Sequence, residues 1–128
     1  MSTATRPEEV VQTFYRAFNN GDIETIIALY EPHAMLVAQP GQVAEGHAAI
    51  REALRAFFAM KPTLTLQKHK VVTGGDIALS MDIWTLTGTG PDGQPMFMEA
   101  TAVEVLRQQS DGRCLYVIDN PWGTGILG

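Results

Sequence analysis

Asp119 closes an apolar run of Leu115, Tyr116, Val117 and Ile118, and is followed by Asn120 and Pro121. Two placements are open to it. At the end of a strand facing apolar neighbours it would lose its water, and burial raises an aspartate pKa by disfavouring the charged form. Such a group can exchange protons near neutral pH. In an Asp-Asn-Pro turn it would instead accept backbone N–H bonds and do no chemistry. If the turn at 108–112 closes a hairpin, Asp119 lies opposite Thr101, with Glu99 on the diagonal. Val103, Val105, Leu115 and Val117 share that face, which marks it as the inward one. Asp119 is then the candidate proton-transfer group and Thr101 an assisting hydroxyl. Glu99 either lines the same pocket or points outward at the sheet rim. Met96 and Met98 fall on the opposite, outer face.

The aromatic residues Tyr15, Tyr30, Trp84 and Trp122 are further pocket candidates, although large aromatics are most often core. Tyr15 can bring a hydroxyl to the rim, and the two tryptophans can stack on a flat ligand. His33, His47 and His69 show no metal-ligand spacing, so no metal site is expected. His33 lies nearest the expected cavity mouth, and His69, between Lys68 and Lys70, fits a solvated strand face. Cys114 is the single cysteine, which excludes an internal disulfide framework and suits a buried, inert thiol. Gly88, Gly90 and Gly93 join two strands and open no helix, so they form no phosphate loop. No cofactor is expected.

The elements that must position these groups change character midway. Thr5 and Glu8 have capping-box spacing, and Val10, Val11, Phe14, Ala17 and Phe18 recur at helical spacing up to Asn19-Asn20-Gly21. Asp22 is a good N-cap for a short second helix that ends before Pro32. Residues 33–38 read as a buried strand, and a third helix runs from Gly46 to about Met60, ended by Pro62. Beyond it the period becomes two, over 63–73, 77–88, 96–107 and 113–119. The expectation is an α+β fold with three helices followed by a four-stranded antiparallel meander. The curved sheet would wrap as a cone around the long N-terminal helix. The open end of such a cone is a natural small-molecule pocket.

Bulk properties narrow the partners. A chain of 128 residues suits one domain over 1–128. Its net charge of −5 and lack of a basic stripe argue against nucleic acid. No apolar run approaches the ~20 residues that span a bilayer. With no secretory pattern at the start, a cytoplasmic location is expected.

Several segments carry a resemblance. Val10-Val11-Gln12, Asn20-Gly21-Asp22-Ile23, Ile27-Ala28-Leu29-Tyr30 and Gly46 to Glu52 (GHAAIRE) resemble the bacterial ketosteroid isomerases and their SnoaL-like polyketide-cyclase relatives. Residues 103–107, 111–113 and 116–123 look more like the uncharacterised SnoaL-like branch. The resemblance spans about residues 8–123 and implies a cystatin-like cone of the nuclear transport factor 2 superfamily. It also implies where isomerase chemistry would sit. The family's tyrosine oxyanion donor corresponds to Phe14 and its general-base aspartate to Ala38. Its protonated aspartate falls on Thr101 or Ala102. None of these residues carries the group required, so steroid isomerisation by the family mechanism is expected to be absent. Those isomerases work by tuning two carboxyls apart in proton affinity, and here any such chemistry would fall to other residues.

Three functions stay open at this level. One is a cofactor-independent isomerase- or cyclase-like enzyme acting on a small apolar cyclic or polyketide-like molecule. It would use Asp119, Tyr15 and Thr101, within a pocket shaped by Phe14, Tyr30, Ala38, Trp84, Glu99 and Trp122. The second is a non-catalytic ligand-binding module using the same pocket. The third is an association module, a homodimer through the outer sheet face.

Overall fold

Val10, Val11, Ala17 and Phe18 are buried along one face of helix α1 (Pro7–Asn19), as their spacing requires. The computed structural model describes residues 4–128. The capping box expected at Thr5 and Glu8 does not form. Arg6 occupies the N-cap without a side-chain bond, and Pro7 takes the first helical turn. Pro7 places the helix start one residue later than a Thr5 cap would. The C-terminal end of α1 is pinned to the sheet by Asn19. Its amide donates to the Leu64 carbonyl and its carbonyl accepts from the Leu64 N–H, both at 2.7 Å. Asp22 does cap α2 (Ile23–Ile27), accepting from the Thr25 N–H at 3.2 Å and the Thr25 hydroxyl at 2.6 Å.

The sheet has six strands: β1 (Tyr30–Gln39), β2 (Gln42–Glu45), β3 (Thr63–Gly74), β4 (Ile77–Thr89), β5 (Pro95–Gln108) and β6 (Cys114–Asn120). Helix α3 (Gly46–Phe58) separates β2 from β3. The spatial order is β2-β1-β6-β5-β4-β3, antiparallel throughout except for the parallel β1–β6 pair. Strands β3 to β6 are the expected meander. Strand β2 has no counterpart in the sequence reading: Gly41, at φ +85°, turns the chain back on β1 over only four residues. The result is a mixed α+β fold whose curved sheet packs its inner face on the helices. Among the described residues no helix is long and apolar enough to cross a membrane.

Two bulges decide which side chains face inward. On β6, Val105 pairs with Ile118 but Leu106 pairs with Tyr116, so Val117 is an extra residue. This lets both Tyr116 and Asp119 point inward, although they differ by an odd number of positions. On β3, Leu66 pairs with Trp84 and Lys68 with Ile83, so Gln67 is extra. Leu64 and Leu66 face the core before that bulge, and His69 and Val71 after it.

The expected hairpin register is corrected by the same observations. The β5–β6 hairpin closes at Gln108 and Cys114, and Asp119 lies opposite Glu104, not Thr101. An odd slip of this kind exchanges the faces of a whole strand. Ala102, Glu104 and Leu106 therefore face inward, while Glu99, Thr101, Val103 and Val105 face outward. Met96 and Met98, expected outside, pack against the core.

Candidate functional site

The inner face of the sheet and the helices above it enclose a cavity of about 60 Å³ reachable by the centres of water molecules. That is room for about four waters, or one small ring. Helix α1 contributes Phe14, Tyr15 and Phe18, and α3 contributes Leu54 and Phe57. The wall is almost wholly apolar, and among the described residues its only charged members are Asp82, Glu104 and Asp119. These lie on β4, β5 and β6 and are 2%, 4% and 3% exposed, so all three carboxyls have lost bulk water.

Each acid has partners that hold it in place. The Tyr30 hydroxyl donates to Asp119 Oδ2 at 2.5 Å. The Tyr15 hydroxyl donates to Asp82 Oδ2 in a very short contact. Glu104, paired with Ser80 across the β4–β5 ladder, is hydrogen-bonded to both Ser80 and Asp82. Asp82 Oδ1 and Glu104 Oε1 receive no donor from the other described groups. With Asp82 so close, its charge favours keeping a proton on Glu104.

The proton affinities follow from burial. Desolvation pushes Asp119 up to about 7, the Tyr30 hydroxyl opposes this by bonding the charged form, and the charge of Asp82 adds to it. Glu104 is raised well above the ordinary carboxylate range, first by desolvation, then by its bond to Asp82 and the charges of Asp119 and Asp82. Tyr15, Tyr30 and Tyr116 are raised by burial and the adjacent acids, so they stay neutral. Near neutrality the site pairs a carboxylic acid, Glu104, with a carboxyl close to half-ionised, Asp119. Environments that set two carboxyls apart in this way furnish an acid and a base.

The sequence candidates divide sharply. Asp119 occupies the pocket and is not a turn cap. Phe14, Tyr15, Tyr30, Trp84 and Trp122 all line the cavity with it. Tyr30 is core and pocket wall at once. The two indoles meet edge to face at 5.7 Å between ring centres. Their N–H groups donate to the carbonyls of Pro121 (from Trp84) and Val37 (from Trp122). Thr101 and Glu99 do not join them. Both are exposed on the outer face, because the register differs from the expected one. Ala38 is half-buried beside the irregularity in the β1–β2 pairing and lies outside the lining, where Leu36 stands instead. Of the two positions matching the isomerases' protonated aspartate, Ala102 is the one in the cavity.

Sequence reasoning missed Asp82, Glu104 and Ser80. A signal exists for the first: Ala78, Ser80, Asp82, Trp84 and Leu86 alternate as one face of β4. It is masked because Ile77, Leu79, Met81 and Ile83 make the other face equally apolar. His69 also departs from its expected place. The Gln67 bulge turns it off the solvated face, and its Nε2 lies 2.8 Å from Ser80 Oγ. His33 is exposed, and His47 sits 2.9 Å from the Tyr30 carbonyl oxygen. Cys114 is buried, its thiol pushed up to about 11 by desolvation, which keeps it protonated and unreactive. Among the described residues no cluster of three potential metal ligands is formed.

Comparison with known proteins gives a consistent frame. The SnoaL-like domain family matches residues 11–117. No curated protein matches the chain. A Shewanella frigidimarina structure provisionally named a ketosteroid isomerase is 22% identical, with a TM-score of 0.76 over 88% of this chain and 90% of that one. A Streptomyces avermitilis structure provisionally named a dehydratase of the nuclear transport factor 2-like family is 21% identical, with a TM-score of 0.74 over 88% and 90%. A Xanthomonas campestris structure provisionally named a calcium/calmodulin-dependent protein kinase II association domain is also 21% identical. Its TM-score is 0.74 over 86% of this chain and 79% of that one. At such identities the likeness shows the fold, and chemistry must be argued from the site.

Proposed function

The chain belongs to the SnoaL-like domain family, and from that premise we propose that it is a cofactor-independent acid–base enzyme acting on a small, apolar, cyclic molecule. One observation carries the reading. Asp119 sits buried in an apolar cavity, its proton affinity raised to about 7, beside a second, more strongly raised carboxyl, Glu104. A general base or acid works best when its pKa lies near the working pH.

The chemistry such a pair can perform is proton transfer next to a carbonyl. Ionised Asp119 takes a proton from the carbon beside a ring carbonyl, and the C–H electron pair moves to the carbonyl oxygen as an enolate. Neutral Glu104 donates a hydrogen bond to that oxygen. Return of the proton from Asp119 to another carbon restores the carboxylate and completes an isomerisation. Tyr30 orients Asp119, and Tyr15 fastens Asp82 against Glu104. Trp84 and Phe14 hold the ring. The cavity suits one ring, so a larger polyketide-like body requires the aromatic wall to move.

The experiment is deuterium incorporation into a panel of monocyclic ketones and enones in D2O, followed by proton NMR. Wild-type protein should accelerate incorporation, and Asp119→Asn should lower the rate at least about a hundredfold. Equal rates in both proteins would overturn the enzymatic reading. Saturable binding without exchange in either would leave a sequestering module in its place.

A second reading concerns assembly. An apolar row crosses five strands on the outer face: Val72, Leu79, Val105, Ile118 and Met35 are consecutive cross-strand partners. Val72 is 59% exposed and Ile118 44%, a large apolar display for a solvent-facing sheet. This row, not Met96 and Met98, is where a second copy of the chain would seat.

A further inference from the structure

A ligand that fills the cavity shuts water away from the three acids that line it. The fold offers these acids a second connection to solvent, through the sheet. His69 is half-buried on β3, flanked on its own strand by the exposed Lys68 and Lys70 and paired in register with Asp82 on β4. Because β3 is the last strand of the sheet, its free edge brings solvent to the half-buried imidazole. From His69 the contacts run inward without a break. Nε2 meets Ser80 Oγ at 2.8 Å, Ser80 bonds Glu104, Glu104 bonds Asp82, and Asp82 accepts from the Tyr15 hydroxyl.

The polarity of these bonds is consistent from end to end. The Ser80 bond favours the charged form of Glu104, so the serine hydroxyl donates to the carboxylate. Ser80 Oγ is then free to accept from the Nε2–H of His69. We infer that His69 is the port of a proton relay, His69–Ser80–Glu104–Asp82, that re-protonates the buried acids from the β3 side while the cavity is occupied. Solvent delivers a proton to Nδ1 as Nε2 passes its own to Ser80 Oγ. The serine hydroxyl hydrogen moves to Glu104, and Glu104 shares it with Asp82. Each intermediate member gives one proton and takes one, so nothing but a proton is consumed.

Ser80 is fully buried, and a buried serine joining a histidine to Glu104 serves no packing need that alanine would not meet. The Gln67 bulge has the same sense. Without the extra residue, Lys68 would face inward and the imidazole would point to bulk solvent.

The relay builds on the acid–base reading but is measured without turnover, on protein whose cavity is kept filled with benzene. Protein is mixed from H2O into D2O, and the carbonyl stretch of the protonated carboxyl is followed by rapid-mixing infrared spectroscopy. Loss of the band in Glu104→Gln assigns it. His69→Phe and Ser80→Ala should slow exchange of this proton about a hundredfold, the low end of what a placed proton-transfer group contributes. His69→Gln, which can still donate to Ser80 and so keeps the structural bond, should be as slow as His69→Phe. Added imidazole should restore the rate in His69→Ala, which a purely structural histidine would not allow. Wild-type exchange rates in His69→Gln and Ser80→Ala, or a slowed His69→Ala that imidazole fails to rescue, would overturn the relay. Either result would leave the Asp119 reading standing, because that is judged by deuterium entering a ketone.

Discussion

Asp119 and Tyr30 form the contact in which burial and hydrogen bonding pull in opposite directions, and burial wins. This has a consequence for stability. The folded-state pKa, about 7, lies above the unfolded value of 3.8, so the native protein holds a proton that the unfolded chain releases. Stability is greatest below the unfolded pKa and falls as pH rises through the window between them, by about 4 kcal/mol at most. Asp119→Asn has no proton to lose there. Urea denaturation at pH values of about 5 and about 8 should show the variant gaining on wild type as pH rises. A constant difference between the two proteins would contradict the raised proton affinity. Tyr30→Phe removes the bond that opposes the shift. Its Asp119 carboxyl should titrate above the wild-type midpoint, read by carboxyl carbon NMR, and an unchanged midpoint would deny Tyr30 its role.

At the scale of elements, the strand spans were legible because period-two alternation between turn residues is a strong signal. Residues 77–88 and 96–107 became β4 and β5 with at most one residue's difference at either end. Facing was not legible. On both strands each face carries enough apolar residues to pass as core, so Val103 and Val105 outcompeted Ala102 and Leu106 as inward candidates. Bulges at Gln67 and Val117 then shift the parity partway along β3 and β6, and no residue type announces them. Asp119 was reached through a hairpin register that the structure corrects, and its inward placement holds because the Val117 bulge restores it. Asp82 and Glu104 were missed because theirs depended on partners. The segment after β6 is equally dependent on close approach. Gly123, at φ +54°, lies where an added Cβ would run into the Thr101 carbonyl oxygen. Gly123→Ala should cost roughly 1–3 kcal/mol and loosen the adjoining Trp122. Urea midpoints and tryptophan emission check this, and a variant matching wild type in both would show that the turn yields freely.

For the whole molecule, the cone divides its two sheet faces between two tasks. The inner face encloses acids in an apolar cavity, and the outer face displays the row from Val72 to Met35. If that row seats a second copy, light scattering should give twice the chain mass, and Val105→Lys with Ile118→Lys should return it to the monomer. A wild-type protein at the single-chain mass would remove the interface. The inner face depends on water staying out, since the proton affinities of Glu104 and Asp119 are set by desolvation before any other cause acts. The most direct test is therefore a pH titration of the Asp119 carboxyl carbon in the intact protein, assigned with Asp119→Asn. The expected midpoint is near 7. A midpoint near the ordinary 3.8 would mean a hydrated carboxylate, and neither the base nor its acid partner would exist as described.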